Sequence, residues 1–540
     1  MGRVDWDVKF EGCDDATGMI QVLDGVVKEA MDMYIPKKAF RNNFTKRNFH
    51  APPTLIAKIR LKRAAFKYYK RFPTNSNYHE YVRLRNEVNI AVKKAKRERE
   101  VKIASQIKVN PKAYYQYVAS KTKTRENVSN LRRADGSLTL SDKEKAEVLS
   151  NFFSSVFHKD SDDDPVPVFT AYTVTFLNNI TITRDDLEKA LKSLKVCKSP
   201  GPDNMHPRVL SELSHELSYP LLLIFNKSMA QGKLPSQWKE GEIRPIFKKG
   251  CKATPGNYRP VSLTSILCKI FERFVRDALY AHMVDNRLLS TKQFGFCQGR
   301  SCVTQLLTTI NKWMKSLDEG RSVDAIYLDF AKAFDTVPHK RLITKLRGYG
   351  IRDNVLSWIE DFLSNRTQYV SVNGERSSSM PVTSGVPQGS VLGPILFVYF
   401  INDMPEVSEE DMTLFADDAN TFNEIVELED RDDLQKCINA LVKWSIKWGM
   451  GFNACKCKVM HLGRSNPKHQ YTMSDGINDT VLEETTCEKD LGVHVDNMLS
   501  FEEHMLLTAK KARRSAGQLL RSISHKVPSV LTPCATHIRV

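Results

Sequence analysis

Two adjacent carboxylates at the tip of a hairpin constrain this chain more than any other feature. In Thr413-Leu414-Phe415-Ala416-Asp417-Asp418-Ala419-Asn420 an apolar run rises to an Asp pair and falls away into Thr421-Phe422, the pattern of strand, tight turn and strand. Two acids side by side in a dry fold repel, and one is driven toward its protonated form unless they share a cation. A divalent metal removes the conflict. Upstream, Ala325-Ile326-Tyr327-Leu328-Asp329-Phe330 supplies a second apolar strand that ends in a carboxylate. A strand-end Asp329 beside Asp417-Asp418 suits two Mg²⁺ ions, hard cations that take carboxylate oxygens and leave positions for phosphate and water. Aspartate is also common in turns for local hydrogen-bonding reasons, so the reading depends on what surrounds these residues.

Charge is distributed unevenly. The chain of 540 residues has a net charge of +17, and Lys37 to Arg133 holds 27 Lys and Arg against 5 Asp and Glu, which leaves the remainder slightly acidic. A basic arm interleaved with aromatic residues is the electrostatic footprint of a nucleic-acid partner. With 41% hydrophobic residues the rest is long enough for a large core and more than one domain. No apolar run reaches membrane-spanning length and no signal pattern opens the chain. The 11 cysteines are scattered, with no C-x₂-C pair, and read as reduced thiols of an intracellular protein.

Along the chain, a helix is expected at Met19 to Tyr34 and two long helices between Leu55 and Ser120. Lys58, Lys62, Arg63, Lys67, Lys70 and Arg71 on the first, and Lys93, Lys94, Lys96 and Arg97 on the second, would face phosphates, with Tyr68, Tyr69, Tyr114 and Tyr115 available to stack on bases. An acidic stretch, Asp160 to Asp164, reads as a linker. Thr183 and Asp186 make a capping box ahead of a stripe of Leu187, Ala190, Leu191 and Leu194. Strands follow at Ile243 to Phe247 and Ala325 to Asp329, and helices at Leu267 to Met283 and Ile351 to Leu363. A hairpin is expected at Tyr369 to Val372 with Asn373-Gly374 as its turn, then a glycine-rich loop, Gly385 to Pro394, leading into an apolar helix. A helix at Leu434 to Trp448, strands near Lys458 to Leu462 and Gly492 to Val495, and a basic helix at Phe501 to Ile523 complete an α+β layout with helices packed on one antiparallel sheet.

The order Asp329, Gln388-Gly389, Phe415-Ala416-Asp417-Asp418, Lys456, Leu491-Gly492 resembles the palm of reverse transcriptases, and closer still the non-LTR (LINE-type) retrotransposon polymerases of the CR1 and jockey groups. Further stretches carry the resemblance: Lys198-Ser199-Pro200-Gly201-Pro202-Asp203, Asn257-Tyr258-Arg259-Pro260-Val261-Ser262-Leu263, Gln293-Phe294-Gly295-Phe296, Tyr327 through His339, and Thr383 through Ser390. It runs from about Val168 to Leu520 and implies a right-hand polymerase with fingers, palm and partial thumb. The expected domains are a basic helical RNA-binding extension at 1–165, fingers and palm at 166–495, and a partial thumb at 496–540. Family members carry an N-terminal endonuclease and a longer tail, so the resemblance further implies a fragment that begins after the endonuclease and ends in or after the thumb.

What the resemblance implies for single residues follows by position. Asp329 and Asp417 would ligate two Mg²⁺ ions, with Mn²⁺ as a substitute, supported by Asp418 and the carbonyl of Phe330. Phe334 would meet the sugar and exclude a 2′-hydroxyl. Gln388 and Gly389 would meet the new base pair, and glycine there permits close backbone approach. Arg259 with Lys248 or Lys249 would bind the triphosphate, and Lys456 would stand near the leaving pyrophosphate. Asp335 and His339 are expected to hold the loop. The implied partners are an RNA template, a DNA primer and deoxynucleotides, with no membrane and no protein partner inferable, and the implied location is the nucleus or a cytoplasmic ribonucleoprotein. Two rivals stay open: a catalytically silent nucleic-acid-binding remnant, and a two-metal nuclease, which leaves Phe334 and Gln388 without a role.

Overall fold

The structure, a computed structural model, describes residues 2, 4–36, 51–121, 128–157, 165–170, 172–474 and 478–536. The expected linker at Asp160 to Asp164 lies outside them. The chain divides into two compact units, one made of Met1–Pro36 with Asn127–Phe501 and the other of Lys37–Glu126 with Glu502–Val540.

In the first unit, strands are β1 (Glu240–Phe247), β2 (Tyr258–Leu263), β3 (Ser322–Leu328), β4 (Arg366–Val372), β5 (Glu375–Arg376), β6 (Met380–Val382), β7 (Asp411–Phe415), β8 (Asp418–Ile425), β9 (Lys458–Leu462), β10 (Thr472–Ser474), β11 (Asp479–Val481), β12 (Glu483–Glu484), β13 (Cys487–Asp490) and β14 (Val493–Asp496). They make two five-stranded sheets and two small hairpins, where one antiparallel sheet was expected. One large sheet has the order β12-β9-β3-β8-β7; the other runs β2-β1-β4-β5 with β6 also on β4. Both are mixed, because β12 lies parallel to β9 and β1 lies parallel to β4. More than a hundred residues separate β1 from β4, and such a pairing leaves no local signature in sequence.

The strand β3 sits in the middle of its sheet with both faces covered. Ile326 and Leu328 join the main core, while Val323 and Ala325 pack with Trp313, Phe422, Met460 and Leu462 on the other face. A strand buried on both sides carries mostly apolar side chains, as Ala325 to Leu328 do here, and the next residue, Asp329, emerges at the sheet's end. Among the helices of the main core is Gly393–Ile401, apolar all round and buried over eight of its nine residues except Pro394. The helix Leu428–Trp448 starts earlier than expected, because Glu427 and Asp430 form a capping box ahead of the apolar stripe, and it ends at left-handed Gly449. The Thr183–Asp186 capping box is present as expected. The Asn373-Gly374 turn is also found, with both residues at positive φ, 51° and 99°, as a two-residue hairpin requires.

In the second unit the region expected to hold two helices holds three, Pro53–Arg71, Asn75–Ser105 and Pro111–Lys121, because Phe72-Pro73-Thr74 and Asn110-Pro111 interrupt it. Helices Glu502–Ser522 and Pro528–Ala535 complete this unit. In this stretch Leu519, Ile523, Val530 and Cys534 bury against Ala104, Ile107 and Tyr114. Glu100 is 2% exposed, yet it is fully partnered: its carboxylate accepts the Tyr117 hydroxyl at 2.5 Å and the backbone N–H groups of Ser524 and His525 at 3.0 and 2.9 Å. Among the described residues no helix is long and apolar enough to cross a membrane.

Candidate active site

Strand pairing brings the three acids to one edge. The register pairs Leu328 with Ala419 and Phe415 with Asp418, so Asp329, one residue beyond β3, lies beside Asp418, and Asp417 occupies the two-residue turn with Ala416. The segment after the helix Leu428–Trp448 fixes Asp329 from the opposite side. Its carbonyl accepts the Asn453 N–H at 2.7 Å and its own N–H faces Cys457 Sγ at 3.4 Å. Phe330 is buried and stacks on Phe452 with centroids 4.5 Å apart. The same segment carries Lys456, whose Nζ donates to Asp329 Oδ2 at 2.9 Å.

Asp417 and Asp418 reach solvent, but packed protein takes up much of the space around their carboxyl groups. That loss of hydration pushes both above the ordinary carboxylate range, Asp418 to about 6, where the charges of Asp417 and then Asp329 add to the rise. For Asp417 the rise is opposed by its own backbone N–H and by the charge of Arg259, and Asp329 adds to it. The three acids' oxygens do not all fall within 4.8 Å of one another, and Asp329 is paired with Lys456. Three carboxylates at one end of the sheet, two of them with raised proton affinity, are nevertheless the donor set that suits a hard divalent cation, whose charge relieves their repulsion.

Above the acids lies a cavity of about 500 Å³. Asp329, Asp417, Lys248, Arg259, Lys456, Phe334, Gln388 and Gly389 all line it. Lys249, the alternative to Lys248, does not line it, and neither does Asp418. Phe334 stacks on Phe397 with centroids 4.5 Å apart and planes 15° from parallel, so one face is core and the ring still borders the cavity. Gln388 donates through Nε2 to Asp335 Oδ1 at 2.8 Å, and its carbonyl accepts the Ser262 N–H at 2.8 Å. The glycine that follows is demanded by geometry. Gly389 has φ 118° and a Cβ there would stand 2.4 Å from the Ser262 carbonyl oxygen. Asp335 and His339 do brace this loop: the Asp335 carbonyl accepts the Ser384 hydroxyl, and a His339 ring nitrogen lies 2.8 Å from the Gly385 carbonyl oxygen. Burial pushes the Asp335 carboxyl up to about 6.

Sequence reasoning missed the cavity's aromatic wall, Phe152 in the last turn of the helix Asp142–Ser154 and Phe157 three residues beyond it. The signal was present in the Ser141–Glu144 capping box followed by Leu149, Phe152 and Phe153. It also missed Lys332, whose Nζ lies 4.4 Å from the Phe152 ring centroid.

The ten basic residues expected to face phosphate lie in the second unit on the helices Pro53–Arg71 and Asn75–Ser105. All are exposed except Lys62, which is half-buried. Tyr68 and Tyr115 are exposed and Tyr69 is half-buried. Tyr114 is not available for stacking, because it is 4% exposed within the hydrophobic cluster that includes Leu519 and Ile523.

Residues 246–495 match the family described as reverse transcriptase (RNA-dependent DNA polymerase). That stretch is therefore similar to a reverse transcriptase domain. The strand end, the hairpin and the glycine-rich loop all fall within it. Relatives extend the likeness beyond the domain. The RNA-directed DNA polymerase from mobile element jockey of Drosophila funebris is 26% identical over 528 residues, covering 93% of this chain and 56% of that protein. The jockey polymerase of Drosophila melanogaster is 31% identical over 375 residues, covering 65% of this chain and 40% of that one. The probable RNA-directed DNA polymerase from transposon BS of Drosophila melanogaster is 30% identical over 365 residues, covering 63% and 39%. The chain thus spans between 39% and 56% of the length of these relatives. The resemblance to non-LTR retrotransposon polymerases drawn from the motif order is borne out.

Proposed function

We propose that the chain is an RNA-directed DNA polymerase of a non-LTR retrotransposon, adding deoxynucleotides to a primer 3′-hydroxyl on an RNA template. The observation that carries this is the convergence of Asp329, Asp417, Lys248, Arg259, Phe334, Gln388, Gly389 and Lys456 on one cavity within a stretch similar to a reverse transcriptase domain. In this reading β3 with the β7–β8 hairpin is the palm, the β1–β2 region is part of the fingers, and the helices Glu502–Ser522 and Pro528–Ala535 belong to the thumb. The domain limits expected at 165 and 495 belong to the same proposal.

Asp329 and Asp417 would hold two Mg²⁺ ions, with Asp418 and the Phe330 carbonyl in support. When bound, such ions promote attack by the primer oxygen and balance charge on the departing pyrophosphate. Arg259 and Lys248 orient the triphosphate, a forked guanidinium and a point-like ammonium each suited to phosphate oxygens. Phe334 closes the space a 2′-hydroxyl would need. Gln388 is held by Asp335, and Gly389 lets backbone approach the nascent pair. Lys456 sits where it can meet the leaving group. The helices Pro53–Arg71 and Asn75–Ser105 give sequence-independent affinity for RNA, and nuclear action on chromosomal DNA follows from the family likeness.

Primer extension on an RNA template, with dNTPs and Mg²⁺, tests this against Asp417→Ala. The wild type should extend and the variant should bind RNA without extending. If neither extends while both bind RNA, the chain is a nucleic-acid-binding remnant instead.

A further inference from the structure

The Ala416-Asp417 turn poses a problem that β7 and β8 do not solve themselves. Ala416 has φ 55°, a left-handed conformation that costs a residue with a Cβ about 1 kcal/mol or more. It is also 2% exposed. In a two-residue hairpin the N–H of the first turn residue has no ladder partner, and a buried N–H needs an acceptor. The acceptor comes from outside the hairpin. Gln293, 0% exposed, places Oε1 3.1 Å from the Ala416 N and 2.7 Å from the Gly295 N.

The surroundings are built to hold that one oxygen in place. The segment runs parallel to β7 at Leu414: the Phe294 N–H donates to the Leu414 carbonyl at 2.7 Å, and the Leu414 N–H donates to the Lys292 carbonyl at 2.9 Å. Arg300 clasps it by donating to the carbonyls of Gln293, Ser290 and Thr291. Gly295 is required for the approach, since a Cβ there would lie 2.4 Å from the Ala416 N. The Gln293 Nε2 is buried with no hydrogen-bond partner among the described residues. Only the accepting half of the amide is used.

We propose that Gln293 is a positioning residue that fixes the Ala416 amide, and through it the direction in which Asp417 presents its carboxylate to a divalent cation. The inference rests on the polymerase reading for its catalytic consequence but not for its geometry. Gln293 touches neither substrate nor cation; it acts through Ala416.

Three variants separate this role from general packing. Gln293→Leu keeps the volume and removes the acceptor. Gln293→Glu keeps an accepting oxygen and loses no hydrogen bond, because Nε2 makes none, and burial favours its neutral form. Gln293→Asn keeps the amide but draws it back by one methylene, and replaces Gln293→Leu should that variant not fold. Hydrogen exchange of the peptide holding Ala416, in metal-free protein, should quicken at least tenfold in Gln293→Leu and stay near wild type in Gln293→Glu. Mn²⁺ binding, read by electron paramagnetic resonance of the free ion, should weaken about fivefold or more in Gln293→Leu. In primer extension the metal concentration for half-maximal rate should rise while the KM for dNTP stays level.

Unchanged exchange at Ala416, or Gln293→Glu failing as Gln293→Leu does while folded, overturns the proposal. If the wild type extends no primer, the polymerase reading fails, and the exchange and Mn²⁺ measurements still decide the role of Gln293.

Discussion

Lys456 Nζ lies 2.9 Å from Asp329 Oδ2, so a cation of the chain's own occupies a carboxylate that the proposed metal site needs. Both side chains are about half exposed, at 64% and 46%, and such a pair is worth about 1 kcal/mol or less. Asp329 can therefore change partners at small cost. Lys456→Met should tighten Mn²⁺ binding to nucleotide-free protein by up to about fivefold and should slow single-turnover nucleotide incorporation. Weaker Mn²⁺ binding in this variant would show that the lysine does not compete with metal.

Proton and metal also compete at Asp418. Its carboxyl is raised to about 6 in the metal-free protein, so above that pH the anion is ready to support a cation and below it a proton must first leave. Metal affinity should fall as pH drops through about 6, approaching tenfold per pH unit where one proton is displaced. Mn²⁺ titrations between pH 5 and 7.5, with Asp418→Asn alongside, check this. The variant should have weaker affinity and a flatter profile.

The ring of Phe334 is expected to act on sugar choice and on stability at once. Phe334→Val should raise ribonucleotide incorporation relative to deoxynucleotide, and it should cost about 1–3 kcal/mol because Phe397 loses its stacked neighbour. Paired rATP and dATP incorporation rates and a melting curve read the two effects separately. Loss of stability with unchanged sugar selection would leave Phe334 as core alone.

Gly389→Ala introduces a Cβ into a space 2.4 Å from the Ser262 carbonyl oxygen at φ 118°. The loop must shift, at a cost of roughly 1–3 kcal/mol, and Gln388 with it. Extension should fall at least tenfold while RNA binding holds. Wild-type extension by this variant would remove the loop from the nucleotide site.

Replacing Lys93, Lys94, Lys96 and Arg97 together with alanine should weaken binding to single-stranded RNA of any sequence. The slope of log affinity against log salt should shrink by roughly 0.7 for each phosphate that is no longer neutralised. An unchanged slope would place RNA elsewhere on the protein.

Local signals made the strand-end Asp329, the Asp417 hairpin and the Asn373-Gly374 turn legible, because each depends on residues next to one another in sequence. The second sheet was not legible, since the parallel pairing of β1 with β4 joins distant segments with no turn to announce it. The choice between Lys248 and Lys249 depended on which side chain borders a cavity built by other elements. Tyr114 was misread for a related reason: helical spacing cannot say that Leu519 and Ile523 cover it. Gln293 stood in a motif carrying the resemblance, but its task is to accept an N–H at position 416, and nothing local records that.

Glu100 sets a schedule for how this protein comes into being. Its backbone partners Ser524 and His525 lie 424 and 425 residues later in the chain. At ribosomal speeds of about 5–20 residues per second, the helices around Glu100 would wait on the order of 20–80 s for the segment that satisfies that buried carboxylate and covers Ala104 and Ile107. Throughout that interval a strongly basic, half-finished core is exposed in the cell, a window in which chaperones, or the RNA being translated, would meet it before its own C-terminal helices do.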